Sequence, residues 1–329
     1  MANLTVLPQE NDSRLDRVLE RLLPDMGLRG RRRLCELGLA RVNGRTASPS
    51  RKMRAGDVVE ILQSEDSLTE TPQDEKTCGN DPPRRLFPHD GARLVARFAH
   101  IAVLYKPAAM HTEALAGKPG ACLQTLLPSL VGSDARLLNR LDFPTSGLTA
   151  AATDDEGERM YRSAQENGRT VKRYLALLEG ALPHEMLATQ KLLLKNRSRV
   201  LVELAAHPDI RRHTRVRPLA VLNTVEVCRK LKLKENGWTG QPPASVTLAG
   251  CTILKGARHQ IRAHCSALGY PLLGDRRYGA SVTPDEHDEA FFLHHARLML
   301  PGLDAAVPPV WLDLLGDEAA NAAMLWLKS

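Results

Sequence analysis

A polar stretch near the amino terminus divides the chain into two parts that are expected to fold separately. From residue 63 to residue 90 the sequence is rich in proline and acidic residues and has no apolar period. A segment of this composition cannot bury enough apolar surface to fold by itself. It therefore predicts a flexible linker at residues 63–90, between a small domain at residues 13–62 and a large domain at residues 91–329.

The composition of the whole chain is typical of folded proteins that are not embedded in a membrane. Of its 329 residues, 43% are hydrophobic and 25% are charged. No run of about 18 apolar residues is present, and the first residues lack the charged start and apolar stretch of a signal peptide. The six cysteines are scattered without a CxxC pair, which favours reduced thiols and a cytoplasmic location.

The small domain is predicted to be α+β and strongly basic. An apolar stripe that begins at Leu15 predicts one helix, and a second helix is expected at residues 29–37. Asn43-Gly44 predicts a two-residue hairpin turn, and a closing strand should follow. Twelve basic and six acidic residues give this domain most of the chain's net charge of +7. A basic protein of this kind is attracted to polyanions such as nucleic acids.

Four arginines, Arg29, Arg31, Arg32 and Arg33, cluster at the predicted start of the second helix. Positive charge at this end is unfavourable for the helix dipole, which favours a role in contacting RNA phosphates over a merely solvated surface. The two helices and the hairpin resemble the S4 RNA-binding domain. The match is strongest over the segment ELGLARVNGRTA, Glu36 to Ala47.

The large domain alternates strands and helices without regular βαβ repeats, which predicts an α+β domain on a mixed sheet. Strands are expected at residues 101–105, 174–178 and 246–254, and helices at residues 153–167 and 258–268. The first of these helices opens with a capping box at Thr153-Asp154-Asp155-Glu156.

The segment LLNRLDFPTSGLTAAATDD, which begins at Leu137, places Arg140 and Asp142 on a loop between two apolar strands. A lone aspartate in such a loop more often caps a turn. The segment as a whole, however, resembles the H-R-L-D-x-x-T-S-G signature of the RluA-type pseudouridine synthases, with Asn139 where many members have His. The resemblance implies that Asp142 is the catalytic aspartate and that Arg140 helps to extrude the target nucleotide.

Two later segments extend this resemblance. VKRYLALLEG matches the family's K-x-Y-x-A-x-x-x-G strand, which implies that Tyr174 stacks on the target base; from the residues alone, a core tyrosine is the alternative. LKGARHQIRAHCSALGYPLLGDRRYG matches the family's G-R-x-H-Q-I-R-x-H block and implies that Arg262 pairs with the catalytic aspartate. The block's usual first arginine is shifted by one position to Arg258, which is a candidate for RNA binding. Tyr105-Lys106-Pro107 and FFLHHARLMLP are weaker matches.

The resemblance implies an enzyme with a mixed, largely antiparallel central sheet that isomerises uridine to pseudouridine in RNA. The reaction adds and removes no group, so neither a cofactor nor a metal is expected. Members that carry an S4 domain commonly modify large-subunit ribosomal RNA, which makes 23S rRNA the expected substrate and a monomer the expected state. Transfer RNA is the alternative substrate.

The sequence has two alternative interpretations. A non-catalytic RNA-binding protein is disfavoured because the candidate catalytic residues are all present. A metal-dependent hydrolase would have to use a set of four histidines: His259, His264, His294 and His295. These lack the spacing of known metal motifs, and the first two are five residues apart and so diverge on a helix.

Overall fold

The computed structural model describes residues 2–23, 31, 35, 40–61, 91–114, 122–193, 199–285 and 288–329. The described residues up to Ile61 belong to one compact unit, and those from Gly91 onward belong to another. The predicted linker, most of the predicted second helix of the small domain, and the side chains of Arg29, Arg32 and Arg33 lie outside the described residues.

The small unit contains a four-stranded antiparallel sheet in the order β1-β4-β2-β3. Its strands are β1 (Ala2–Thr5), β2 (Ala40–Val42), β3 (Arg45–Thr46) and β4 (Val58–Ile61), with helix α1 (Leu15–Val18) and 3-10 turns at Pro8–Glu10 and Leu19–Arg21. The predicted stripe is buried, because Leu15 and Leu19 lie in one apolar cluster with Val59. Strand β1 precedes residue 13, where the domain was predicted to begin.

The hairpin predicted at Asn43-Gly44 is confirmed. Both residues have positive φ, 52° and 74°, as a type I′ turn between twisted strands requires. The Asn43 side chain also accepts from the backbone N–H of Val58 and donates to Asp57, each at 2.8 Å. The same asparagine therefore forms the hairpin and attaches it to the start of β4.

The described strands of the large unit are β5 (Arg93–Phe98), β6 (Ile101–Lys106), β7 (Arg136–Leu137), β8 (Ser146–Ala152), β9 (Val171–Glu179), β10 (Met186–Ala188), β11 (Gln190–Leu193), β12 (Leu201–Ala206), β13 (Thr214–Asn223), β14 (Thr239–Gly240), β15 (Ser245–Ile253), β16 (Val282–Thr283), β17 (Leu293–Leu300) and β18 (Leu303–Ala306). Its described helices are α2 (Leu123–Leu130), α3 (Asp155–Glu166), α4 (Thr224–Lys230), α5 (Gln260–Ala267) and α6 (Asp317–Lys328), with 3-10 turns at Ile210–Arg212, Arg276–Tyr278 and Asp313–Leu315. No helix in this or the other described part of the chain is both long and apolar enough to cross a membrane.

The large unit is built on a ten-stranded sheet in the order β10-β13-β15-β9-β17-β8-β6-β5, with β7 added to β8 and β18 added to β17. All of these pairings are antiparallel except that of β17 with β8, which is parallel at His294–Ser146 and His295–Gly147. The prediction of a mixed, largely antiparallel sheet is confirmed. Two shorter ribbons, β11 with β12 and β14 with β16, lie outside this sheet.

The two faces of the central strands pack against different parts of the chain, because successive side chains of a strand point to opposite faces. Leu175 and Leu177 of β9 belong to a cluster with Trp326 of α6. Tyr174 and Ala176 belong instead to a cluster with Ile261 of α5. The predicted tyrosine therefore lies on the face of the sheet that α5 covers.

Two predicted helix starts are wrong by one or two residues. Helix α3 is capped by Asp154 rather than Thr153, because the Asp154 carboxylate accepts from the Gly157 N–H at 2.9 Å. Helix α5 begins at Gln260 rather than Arg258, because His259 has the left-handed φ of 53° and cannot continue a helix.

Candidate active site

Asp142 lies on the loop between β7 and β8, and backbone contacts on both sides hold this loop in place. The Leu141 N–H donates to the Thr112 hydroxyl at 3.0 Å, and that hydroxyl donates back to the Leu141 carbonyl at 2.8 Å. The Thr145 N–H donates to the Asp142 carbonyl at 3.0 Å. The Asp142 side chain is 25% exposed, so a substrate can reach a carboxylate whose backbone is fixed.

Arg262, on α5, joins Asp142 to a second and more deeply buried carboxylate. Its Nη1 donates to Asp142 Oδ2 at 3.0 Å, while Nε and Nη2 donate to the two oxygens of Asp275 at 2.7 and 2.9 Å. The guanidinium also lies against the rings of Phe291, at 4.4 Å, and Tyr278, at 5.0 Å. Burial alone would lower the pKa of Arg262, but the hydrogen bonds and charges of Asp275 and Asp142 raise it above its ordinary value.

Tyr174, on β9, is buried and stacks on the imidazole of His295, with ring centroids 4.4 Å apart and planes 12° apart. His295 is held by its Nδ1–H, which donates to the Leu148 carbonyl. Burial raises the pKa of Tyr174 well above its ordinary value, so the hydroxyl stays protonated at neutral pH. The tyrosine shares an apolar cluster with Leu141 and Ile261, the sequence neighbours of Asp142 and Arg262.

His259 is a second neighbour of Asp142 that the sequence analysis did not assign to the site. Its Nε2 lies 3.9 Å from Asp142 Oδ1, and its Nδ1 lies 3.0 Å from the Tyr278 hydroxyl. Burial, followed by the repulsion of Arg262 and other arginines, lowers the pKa of His259 to about 4 against the opposing pull of Asp142. The imidazole is therefore neutral at pH 7.

Lys106, at the end of β6, is a further residue that was noticed only as part of a weak match. It is fully buried, and its Nζ donates to the carbonyls of Pro107 and Met110 at 2.8 Å and of Phe143 at 3.4 Å. Phe143 follows Asp142 directly, so the lysine attaches the Asp142 loop to the end of β6. Burial lowers the pKa of Lys106 to about 7, while the charge of Asp142 opposes this shift.

The arginines that were predicted to contact RNA differ in their exposure to solvent. Arg140 is 66% exposed and pairs with Glu113 at 2.7 Å. Arg258 is half-buried at the approach to α5. Arg31 is buried and pairs with Glu20 at 3.2 Å, so its side chain is engaged within the small unit rather than displayed to solvent.

The four histidines of the metal hypothesis serve other contacts. His294 pairs with the Ser146 hydroxyl at 2.8 Å, and His264 pairs with the Thr214 hydroxyl at 2.8 Å. Among the described residues, no group of three or more His, Cys, Asp or Glu side chains is arranged to hold a metal ion.

The profile of the family described as RNA pseudouridylate synthase matches residues 100–267. This range includes Asp142, Tyr174 and Arg262. The chain belongs to the RNA pseudouridylate synthase family. As an RNA pseudouridine synthase it is an isomerase.

Relatives support the same assignment over most of the chain. An RNA pseudouridine synthase of Chloroflexus aurantiacus is 30% identical over 90% of this chain and 84% of its own length. The ribosomal large subunit pseudouridine synthase D of Nitrosomonas europaea is 28% identical over 86% of this chain and 73% of its own length. The solved structure of human RNA pseudouridylate synthase domain containing 1 has the same fold, with a TM-score of 0.54 and 21% identity over 74% of this chain and 98% of that one.

Proposed function

We propose that the protein converts uridine to pseudouridine in 23S ribosomal RNA and that Asp142 is its catalytic carboxylate. The observation that carries this proposal is the 3.0 Å contact between Arg262 Nη1 and Asp142 Oδ2. Asp275 accepts from Nε and Nη2 of the same guanidinium, which fixes the orientation of the Nη1–H that Arg262 donates to Asp142. A partly exposed carboxylate held by a buried cation is suited to act on a substrate.

The reaction breaks the C1′–N1 bond of a uridine, turns the detached uracil and joins C1′ to C5, after which the C5 proton leaves. Attack of the carboxylate on C1′ and removal of the C2′ proton both require an ionised group. A guanidinium at hydrogen-bonding distance stabilises the negative charge of Asp142 and fixes its orientation. The apolar cluster around Leu141 and Tyr174 limits access of water to the detached base.

Tyr174 and Arg140 have separate roles in this proposal. Tyr174 remains a neutral phenol whose ring stacks on His295, and in this proposal the opposite face of the ring stacks on uracil. The uridine must first leave its stack, which costs a few kcal/mol. Arg140 is exposed, and its ion pair with Glu113 costs little to break. Its side chain can then bind a phosphate or fill the space that the extruded base leaves.

The choice of 23S rRNA is supported by the relative in Nitrosomonas europaea, whose name places it at the large ribosomal subunit. The resemblance of residues 13–62 to the S4 domain supports the same substrate class. In this proposal Arg29, Arg32, Arg33 and Arg258 contact RNA phosphates, and the enzyme acts as a cytoplasmic monomer. Transfer RNA remains the substrate to be tested against it.

The test is incubation of the purified enzyme with unmodified 23S rRNA and with unmodified bulk tRNA, followed by carbodiimide-blocked primer extension. We expect pseudouridine at discrete positions of 23S rRNA. Asp142→Asn should lower the single-turnover rate on the order of 10³-fold or more, because the reacting carboxylate is lost. Asp304→Asn is the matched control, since Asp304 also pairs with an arginine, Arg297, but on strand β18.

Three outcomes would contradict parts of the proposal. Pseudouridine confined to tRNA would overturn the choice of substrate. Full activity of Asp142→Asn would overturn the catalytic assignment. Loss of activity in Asp304→Asn as large as that in Asp142→Asn would attribute the effect to general destabilisation.

A further inference from the structure

The two oxygens of the Asp142 carboxylate have different surroundings. Oδ2 accepts the Nη1–H of Arg262 at 3.0 Å, whereas Oδ1 faces Nε2 of His259 at 3.9 Å. Among the described residues, no hydrogen-bond donor contacts Oδ1, so this oxygen has lone pairs free for a substrate. The His259 ring that borders it is itself mostly buried, with 11% of its side chain exposed.

A chain of hydrogen bonds links His259 through the Tyr278 hydroxyl to the backbone of Val200. The backbone N–H of Val200 donates to the Tyr278 hydroxyl at 2.9 Å. Because the phenol oxygen accepts this bond, its own proton is available for His259 Nδ1 at 3.0 Å. A neutral imidazole that accepts at Nδ1 carries its proton on Nε2, and this N–H faces Asp142.

The backbone of His259 indicates that the ring is placed there at a cost. Its φ of 53° lies in the left-handed region, which costs an L-residue about 1–2 kcal/mol. Strain of this kind persists where the surrounding structure demands it and often marks a functional position. Here the conformation ends the loop before α5 and places the imidazole between Tyr278 and Asp142.

We propose that His259 is a positioning residue for Asp142, whose neutral Nε2–H, oriented by Tyr278, directs the free oxygen Oδ1 toward the reacting uridine. The inference rests on the proposed catalytic role of Asp142. At 3.9 Å the neutral N–H is beyond hydrogen-bond distance and leaves the lone pairs of Oδ1 unoccupied in the free enzyme. Catalytic hydrogen bonds that are long in the free enzyme shorten when the substrate binds, and the N–H then orients the carboxylate. A charged imidazolium would instead form an ion pair and make the carboxylate a weaker nucleophile and base. The low pKa of His259 agrees with the neutral form.

The first test compares two substitutions of the same residue. His259→Phe keeps a flat ring but removes the N–H, and we expect the single-turnover rate to fall about tenfold to a hundredfold. His259→Gln keeps an amide N–H near the position of Nε2, and its rate should stay within about fivefold of the wild type. The dissociation constant for the same RNA should change by less than about twofold in both variants, because the contact orients a reacting group rather than binding RNA.

The second test asks whether Tyr278 acts through His259. In the wild-type background, Tyr278→Phe removes the bond to Nδ1 and should lower the rate about tenfold. In the His259→Phe background the same change should have almost no effect, because the acceptor is already gone. Tyr161→Phe is the matched control: Tyr161 is buried on α3, and its hydroxyl has no hydrogen-bond partner within the described residues.

The RNA is the unmodified 23S rRNA or bulk tRNA, whichever the wild type modifies, and each variant is assayed below its unfolding temperature. Equal losses in His259→Phe and His259→Gln, or additive effects of His259→Phe and Tyr278→Phe, would overturn the inference. If Asp142→Asn is inactive while His259→Phe has the wild-type rate, only this inference fails. If the wild type modifies neither RNA, or Asp142→Asn is active, the proposed function fails and the inference fails with it.

Discussion

Arg262 lies between two carboxylates that differ in their exposure to solvent. Asp275 is almost completely buried, whereas a quarter of the Asp142 side chain is accessible. A buried guanidinium is tolerated only when carboxylates and hydrogen bonds compensate for its lost hydration. Asp275, with two hydrogen bonds to the guanidinium, supplies most of this compensation, and Asp142 stays partly exposed.

This difference in burial predicts that replacing the two carboxylates lowers the free energy of unfolding by different amounts. Asp275→Asn leaves Arg262 with an uncompensated charge in the interior, and we expect the free energy of unfolding to fall by about 3–5 kcal/mol. Asp142→Asn should cost less than about 1 kcal/mol, because solvent screens that partly exposed pair. Urea denaturation measures both values. Equal costs would show that Asp142 contributes to the structure as much as Asp275 does.

Lys106 predicts a dependence of stability on pH. Burial lowers its pKa from 10.5 to about 7 in the folded protein. Between these two values the unfolded chain binds a proton that the folded protein does not, so a rise in pH favours folding. From pH 7 to about pH 9 we expect the free energy of unfolding of the wild type to increase by about 2 kcal/mol relative to Lys106→Met. If the difference in the free energy of unfolding between the wild type and Lys106→Met does not change with pH, Lys106 stays charged in the folded protein, where its Nζ donates to three carbonyls.

Among the elements, the parallel contact between β17 and β8 depends on one glycine. Gly147 has a φ of 113°, and a Cβ atom there would lie 2.3 Å from the carbonyl oxygen of His295. No side chain fits, because the obstruction is backbone of the paired strand. Gly147 is the second residue of β8, the strand that follows the Asp142 loop, so the contact joins this loop to the strand that carries His295.

Gly147→Ala should therefore destabilise the protein by about 3 kcal/mol or more, from backbone strain and overpacking together. Gly302→Ala is the matched control, since Gly302 also has positive φ, 78°, but a Cβ there would meet open space. We expect that variant to cost about 1–2 kcal/mol. Thermal unfolding of both variants decides the matter, and similar losses would contradict the close contact with His295.

Local patterns predicted the elements that local forces determine. The buried strand β9, the helix α3 and the Asn43-Gly44 turn follow from apolar runs, caps and turn residues within a few positions. The errors lie at helix ends. The start of α5 depends on the left-handed backbone of His259, for which the neighbouring residues give no local signal. The parallel pairing of β17 with β8 also has no local signal, because the two strands are far apart in the sequence.

In the candidate site, too, the residues with a local sequence signal were predicted, and the contacts that form only on folding were not. Asp142 and Arg262 were singled out by motifs, and the structure brings them together at 3.0 Å. Asp275, His259 and Lys106 were present in the matched segments but were not assigned to the site. Their involvement depends on which side chains meet after folding, and a single sequence does not contain that information. The glycine-aspartate pair before Tyr278 was the best available signal for Asp275.

At the scale of the whole molecule, the net charge of +7 predicts that RNA binding weakens with salt. We expect replacement of Arg29, Arg32 and Arg33 together by alanine to reduce the slope of log Kd against log salt concentration by about 2–3, if all three contact phosphates. The single-turnover rate at saturating enzyme should remain near the wild-type value, because these residues lie outside residues 100–267, which match the pseudouridylate synthase family.

A triple replacement of Arg136, Arg159 and Arg162 by alanine is the matched control. All three are exposed and paired with acidic residues at helix α3. It removes the same charge and should leave the salt slope nearly unchanged. If both triple variants lower the slope equally, the effect follows net charge and not a specific RNA-binding surface.

Strand β17 comes near the end of the sequence yet lies in the middle of the large sheet, between β9 and β8. During synthesis, the segments that carry Asp142 and Tyr174 leave the ribosome well before the strand that joins them. Until β17 emerges, the two parts of the sheet have no common strand, and His295 is not yet behind Tyr174. A growing chain consequently cannot complete the central sheet until residues 293–300 have left the ribosome.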